Sequence, residues 1–341
     1  MKALVVEPGR AGSARVEDVP ATSVGDGEVP VRVLEVGVCG TDREIVHGLF
    51  GIAPEGEDLL VLGHEVLGVV DRDGHGFSRG DLVAATVRRS CGRCIACAQG
   101  STDGCLTGAY FERGITRLHG YARELVGEDP AQLVPVPSEL AALGVLAEPT
   151  SACVRALRHA RTIGGRLPWE LGRALVIGAG TMGTLVTYLL RLDGVDVVTA
   201  SREPARPIVE ASGAAYAQSG DIPELGRFDL VVECAGDAHL MASALGLLRR
   251  GGVACILGID GREQQVPIDG RTLGVDVVLE NRVLFGSVNA QRSDWEAGVG
   301  ALDEIRRRWP DALEQLVGLR VPLDRFADAL AFGGGKAALI L

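Results

Sequence analysis

The hydrophobic rhythm of the chain changes near residue 140, and its organisation can be read from that change. Up to about residue 130, short apolar runs alternate with glycine-rich turns. "VPVRVLEVGV" (29–38), "LVLGHEVLGVV" (60–70) and "DLVAATV" (81–87) are predicted strands. "DPAQLVPVP" (129–137) is a proline-punctuated loop. From Ser138, a candidate N-cap, the period turns helical through "SELAALGVLAEPTSACVRALRHA", with Pro149 starting or kinking the helix that runs to about residue 160. Strands and helices then alternate. "RALVIGAG" reads as a buried strand entering a glycine turn, "TMGTLVTYLLRL" as a helix with one apolar face, and "VDVVTASR" as the next strand. "FDLVVECAG" and "GGVACILG" flank the helical "AHLMASALGLLRR", and "NRVLFGSVNA" (281–290) is a last strand. This alternation predicts an α/β protein with a doubly wound parallel sheet. Residues 293–341 return to mixed character.

Composition narrows the functional classes. At 341 residues the chain exceeds one small core and predicts two domains. It is 47% apolar but only 4% aromatic, as Val/Leu/Ala-rich α/β enzymes are. The net charge of −11, with no basic run, argues against nucleic acid or an anionic membrane as partner. No window approaches eighteen uninterrupted apolar residues, so no membrane span is expected. "MKALVVEPG" reads as a strand and turn rather than a signal peptide, which gives a cytoplasmic address as the expectation. Lysine occurs only at Lys2 and Lys336, which reads as coding bias.

Half of the eight cysteines fall in "CGRCIACAQGSTDGC". In a reducing cytosol such clusters are metal ligands more often than disulfides. Cys91, Cys94, Cys97 and Cys105 therefore predict a four-thiolate zinc lobe, structural because four thiolates leave no position open. The lobe's tip, "AQGSTDG", lacks the basic and aromatic residues of a nucleic-acid-binding ribbon.

A second motif is G-x-G-x-x-G at Gly178, Gly180 and Gly183, with Thr181 and Met182 between the last two glycines. It directly follows a predicted strand and opens a predicted helix, the context a dinucleotide fingerprint requires. Gly178 permits the tight turn, Gly180 admits the pyrophosphate to the backbone, and Gly183 lets helix and strand pack closely. At the end of the next strand, where an NAD enzyme usually carries an acid, stand Ser201 and Arg202. A hydroxyl and a guanidinium suit a 2′-phosphate, so NADP is favoured. Glu203 follows immediately and leaves NAD as the alternative.

Cys39 in "GVCGTD", His64 and Glu65 in "LGHEVLG", and Glu148 in "LAEP" are zinc-ligand types drawn from separate segments, as catalytic sites usually are. With "CGTDREIVHG", "EGEDLLVLGHEVLGVV", the four-cysteine lobe, "GAGTMG" and "FGSVNA" in this order, the whole chain resembles the zinc-dependent medium-chain alcohol dehydrogenases and reductases. Within them it is most similar to the microbial glucose 1-dehydrogenases. The resemblance implies a GroES-like β-rich catalytic domain over 1–153, a Rossmann domain over 154–288, and a return to the catalytic domain over 289–341, with the active site in the cleft. Cys39, His64 and either Glu65 or Glu148 would hold a catalytic zinc with one position open, giving two zincs per chain. Because Cys39 and both glutamates overcompensate one dication, one glutamate would stand behind the metal or exchange with water. Thr41 would pass a proton toward the nicotinamide ribose, and Asn289 would lie near substrate and nicotinamide. Glu112 and Glu148 would contact the substrate, a small sugar or polyol. A homodimer or homotetramer follows from the same resemblance.

The chain departs from the sugar dehydrogenases at two places. Val87 stands where they place an asparagine before the cysteine lobe, and Ala152 and Val154 stand where they carry acidic groups after the E-P dipeptide. None of these side chains can hydrogen-bond a hydroxyl. A different polyol, such as an amino sugar or a cyclitol, is the alternative substrate. Two other readings keep the fold: a zinc-free enoyl or quinone reductase, and a nucleotide-binding protein with a dead site. Retention of Cys39, His64 and Thr41 argues against both.

Overall fold

Valine alternation at Val29–Val38 becomes a ten-residue strand, the spine of the β-rich part of the chain. The computed structural model describes residues 1–341. It divides into one unit of Met1–Ser151, Asn289–Asp303 and Leu316–Leu341, and another of Ala152–Val288 and Glu304–Gln315. The segment Glu304–Gln315, read from the sequence as part of the C-terminal return, thus belongs to the second unit. There the Trp309 ring meets Tyr188 edge-on, with centroids 5.2 Å apart.

In the first unit the main sheet runs Leu133–Pro135, Leu82–Ala85, Glu65–Val70, Val29–Val38, Ala337–Ile340 and Leu319–Pro322, and Leu125–Glu128 also pairs with Val29–Val38. Val31, Val36, Val66, Val70, Val83 and Val126 make its core, each fully buried side chain contributing about 1.5–3 kcal/mol. Two register facts place the chemistry. Glu65 lies opposite Gly37, and Ala337 lies opposite Val38. The chain's C-terminal strand therefore delivers Lys336 beside the segment that leads into Cys39.

The sequence suggested one strand over 60–70. The structure breaks it into Leu60–Val61 and Glu65–Val70, which belong to different sheets. The break is Gly63, at φ +92°, where a Cβ would meet Val36 at 2.6 Å. It turns His64 out of the ladder at the point where Glu65 re-enters it.

The second unit holds a six-stranded parallel sheet in the order Ala215–Gln218, Asp196–Ser201, Arg173–Ile177, Phe228–Glu233, Leu248–Ile256 and Val283–Gly286. The strand Arg173–Ile177 lies in its middle, so the helix Thr181–Leu192 starts at the switch point where nucleotides bind in such sheets. The helix expected from Ser138 instead opens as two short 3-10 turns, Ser138–Leu140 and Gly144–Leu146, and the α-helix runs Ala147–Gly164 with Pro149 in its first turn. Pro137, not Ser138, stands at the N-cap position of the first turn, and no side chain caps it. The helix over 238–250 is also shorter than its pattern, because Leu248 already begins the next strand.

Candidate functional site

The short helix Gly40–Val46 begins with a reciprocal cap that uses a cysteine. The Thr41 N–H donates to Cys39 Sγ at 3.2 Å, and the Cys39 N–H donates to Asp42 Oδ2 at 2.9 Å. This fixes Cys39 Sγ 3.1 Å from His64 Nε2. Ligand atoms of Cys39, His64 and Glu65 all lie within 4.8 Å of one another. Across a tetrahedral zinc, sulfur and nitrogen ligands would stand about 3.5 Å apart, so the pair is already close to the spacing the metal requires. Behind His64, Asp42 Oδ1 faces Nδ1 at 3.5 Å, and neither atom has another partner. Asp42 thus occupies the place of the carboxylate that orients a metal-binding imidazole. It was legible only as the last letter of "CGTD".

The electrostatics of this pocket favour a cation. Burial alone would lower the pKa of His64, but Cys39 and Asp42 beside it raise it well above the ordinary histidine value. Burial, with the neighbouring Glu65 carboxylate, pushes the Glu148 carboxyl up to about 7. Glu148 is therefore electrostatically in the site, although it is not in the three-residue cluster. Glu65 is 1% exposed, and both of its carboxylate oxygens accept from Lys336 Nζ. Burial would lower the Lys336 pKa, but Glu65 and Cys39 hold it above the usual lysine value, so it stays charged. One of only two lysines in the chain thus offsets one of the carboxylates whose excess charge the sequence had exposed. No residue larger than glycine fits at 37, where a Cβ would stand 2.0 Å from Glu65 Oε2.

The four-cysteine lobe has the geometry of a closed metal site. Cys94 and Cys97 sulfurs are 3.4 Å apart, Cys91 and Cys97 sulfurs 3.9 Å, and all four lie within 4.8 Å, against about 3.8 Å across tetrahedral zinc. Thiolate is favoured at three of the four, while at Cys97 the Ser90 hydroxyl pulls the thiol down but burial and the Cys94 sulfur outweigh it and raise it. The Thr107 hydroxyl and the N–H groups of Arg93 and Cys94 bring Cys91 down to about 7, and the N–H groups of Cys97 and Leu106 bring Cys94 down to about 7. Thr107 also lowers Cys105. All eight cysteines of the chain are free thiols.

Glu112, Asn289 and Arg88 form a third group in the same unit. Arg88 and Glu112 face each other across an antiparallel strand pair. Arg88 Nε and Nη2 each stand 3.0 Å from Glu112 Oε1, and Asn289 Nδ2 donates to the same oxygen at 3.1 Å. Asn289 holds a left-handed backbone, φ +66°, steadied by the Ala290 N–H on its own Oδ1. Val87 is only 3% exposed and Ala152 9%, so neither offers a polar group to a ligand.

In the second unit, Gly178 adopts φ +100° and its N–H donates to the Ala200 carbonyl at 2.7 Å. A Cβ at Gly183 would lie 1.8 Å from the Gly178 oxygen, which is why helix and turn pack so closely. Gly180 caps the helix with open space beside it, and Thr181 is its first residue. The Met182 carbonyl accepts from Cys153 Sγ and so faces the protein. Ser201 ends its strand buried, with its hydroxyl on the Glu203 carboxylate and 2.8 Å from the Tyr216 hydroxyl. The Ser201 hydroxyl also holds the Glu203 carboxyl below its usual range. Arg202 is exposed. Arg206, which the sequence did not single out, donates from Nη2 to the Ala179 carbonyl within the fingerprint turn at 2.7 Å.

Comparison with known proteins agrees with this geometry. Residues 25–138 match the alcohol dehydrogenase GroES-like domain, and residues 141–339 match the glucose dehydrogenase C-terminus. A glucose 1-dehydrogenase of Methanocella arvoryzae is 41% identical over 97% of this chain and 96% of its own length. One from Thermoproteus tenax is 39% identical over 100% and 99%. Among solved structures, Haloferax mediterranei glucose dehydrogenase in complex with NADP, Zn and gluconolactone superposes with a TM-score of 0.90 at 32% identity, covering 100% of this chain and 99% of that one.

Proposed function

The chain belongs to the zinc-dependent medium-chain dehydrogenases and reductases, among the microbial glucose 1-dehydrogenase homologues, and we propose that it oxidises a neutral sugar or polyol hydroxyl with NADP. The observation that carries this reading is the pairing of a Cys39–His64–Glu65 cluster with a separate four-cysteine lobe in one unit. A zinc-free reductase has no use for either cluster.

When bound, zinc would supply Lewis acidity at the substrate hydroxyl and NADP+ would supply the hydride acceptor. Cys39 Sγ, His64 Nε2 and a carboxylate from Glu65 or Glu148 would hold the metal, and Asp42 would fix the His64 ring. Lys336 steadies Glu65 and limits the negative charge that surrounds the reacting oxygen. Thr41, at the first turn of its helix, would relay the hydroxyl proton, accepting it on Oγ1 as its own hydroxyl proton passes toward the nicotinamide ribose. The Cys91, Cys94, Cys97 and Cys105 thiolates would hold the second zinc. On the nucleotide side, the Gly178–Gly183 turn would receive the pyrophosphate, with Arg202 and Arg206 near the 2′-phosphate. Glu203, anchored on Ser201, is the group through which NAD would be accepted instead, by its ribose diol.

Glu112 and Asn289 are the polar groups offered to a substrate hydroxyl. The Glu112 charge is already balanced by Arg88, which favours a neutral hydroxyl over an ammonium and so a plain sugar or cyclitol over an aminated one. The test presents D-glucose, D-galactose, D-xylose, myo-inositol and glucosamine with NADP+ and NAD+ in parallel and follows nicotinamide absorbance. Turnover of a neutral member with NADP+ preferred is the expected result. Turnover of glucosamine alone would overturn the neutral-substrate reading.

Two further features belong to this reading. Val283–Gly286 is an edge strand, and Leu284, Val288, Val278 and Leu279 around it are 42%, 57%, 66% and 63% exposed. An unpaired apolar edge of this kind supports edge-to-edge pairing with a second copy. Sedimentation is expected to give a dimer or a multiple of one, and a monomer at micromolar concentration would contradict it. No helix is long and apolar enough to cross a membrane. Eight free thiols, five of them in metal-site geometry, support a reducing, cytoplasmic address.

A further inference from the structure

We infer that Arg88 is a positioning residue for substrate recognition, tying the Glu112 carboxylate to the four-cysteine lobe. The inference rests on the reading of Glu112 and Asn289 as substrate contacts. Three observations carry it. First, one guanidinium makes two opposed attachments. Its Nε and Nη2 hold Glu112 Oε1, while Nη1 donates to the Asp103 carbonyl. Asp103 sits in the turn Thr102–Gly104, between Cys97 and Cys105, so the lobe itself sets where that carbonyl stands. Second, the guanidinium carbon lies over the Tyr110 ring, 4.0 Å from its centroid, and the Arg88 side chain is only 8% exposed. A flat group backed by a ring and hydrogen-bonded from three nitrogens has one orientation. Third, Glu112 Oε1 receives all three donors, two from Arg88 and one from Asn289, whereas Oε2 has no protein partner.

The chemical consequence is specific. A carboxylate that could rotate would offer either oxygen to any hydroxyl. Fixed by Oε1, Glu112 offers a single acceptor, Oε2, at a single place. Polyols differ in where their hydroxyls point, so a fixed acceptor discriminates among them and a free one does not. The lobe would thereby contribute to recognition without touching substrate, because its folding around four thiolates sets the far anchor of Arg88.

The test compares wild type with Arg88→Lys and Tyr110→Leu. Lysine keeps the charge but loses the planar fork, and leucine removes the stacking surface while leaving the fork intact. For whichever of D-glucose, D-galactose, D-xylose and myo-inositol the wild type oxidises fastest, Arg88→Lys is expected to raise KM by roughly 10–100-fold. Its kcat, the KM for NADP+, the zinc content and the melting temperature stay close to wild type. The ratio of kcat/KM between the best and second-best substrate also falls toward one. Tyr110→Leu raises KM in the same direction by roughly 3–10-fold, and it gives the reading should Arg88→Lys not fold. An unchanged KM and substrate ratio overturns the inference. So does a loss of kcat, zinc and melting temperature together, which marks a merely structural arginine. If the wild type oxidises none of the four compounds, the proposed function itself falls, and this inference falls with it.

Discussion

Replacing His64 with alanine is expected to lower kcat/KM by roughly 10³-fold or more, about 4 kcal/mol of transition-state stabilisation. The imidazole is the only nitrogen donor in the Cys39–His64–Glu65 cluster, and it is 4% exposed, so water cannot simply take its place. Removing it also strands Asp42, whose Oδ1 has no other partner. Zinc analysis should fall from two metals per chain to one, because the lobe of Cys91, Cys94, Cys97 and Cys105 is a separate cluster. That split is the informative part. Loss of both metals would mean the substitution unfolds the unit, and retention of both with wild-type rates would mean that His64 is not a ligand.

Lys336→Met is the second large effect. The substitution preserves length and apolar stem but leaves the Glu65 carboxylate, 1% exposed, without its cation. Breaking a buried pair on one side costs about 3–5 kcal/mol, because the remaining charge stays desolvated. Melting experiments should show a loss of this size, and Glu65→Gln on the Lys336→Met background should recover much of it by removing the stranded charge. If the double substitution is no more stable than the single one, the pair is not the source of the cost. The same cycle separates stability from catalysis, since only the Glu65 change removes a candidate metal ligand.

Lys336 shows where reading the sequence succeeds and where it fails. The parallel sheet was legible because its strands are buried on both faces, so they appear as unbroken runs such as "RALVI" and "DLVVE", and because glycine spacing marks the turn after the first of them. The four-cysteine lobe was legible because all its ligands lie within fifteen residues. The Cys39–His64–Glu65 cluster was legible only by resemblance, since its residues are brought together by sheet register and by a break at Gly63 that apolar patterning hides. Lys336 carried no local signal at all. It is 271 residues from Glu65, and only the pairing of Ala337 with Val38 brings it there. Its one trace was that a chain otherwise committed to arginine keeps a lysine before an apolar strand, and coding bias accounted for that too easily. Arg206 was missed for a similar reason, lying past the strand end where no period applies. Glu304–Gln315 falls with the second unit, where Trp309 meets Tyr188, and helical periodicity cannot say which core a face will meet.

The measurement that tests the account most directly is NADP+ reduction by the sugar and polyol panel on one protein sample carried through three states: as purified, stripped of metal by a chelator strong enough to empty the Cys39–His64–Glu65 cluster, and resupplied with zinc alone. The account predicts turnover in the first state, none in the second, and recovery in the third. Turnover that survives complete removal of zinc would contradict it, because the cluster at Cys39, His64 and Glu65 would then have no part in the chemistry.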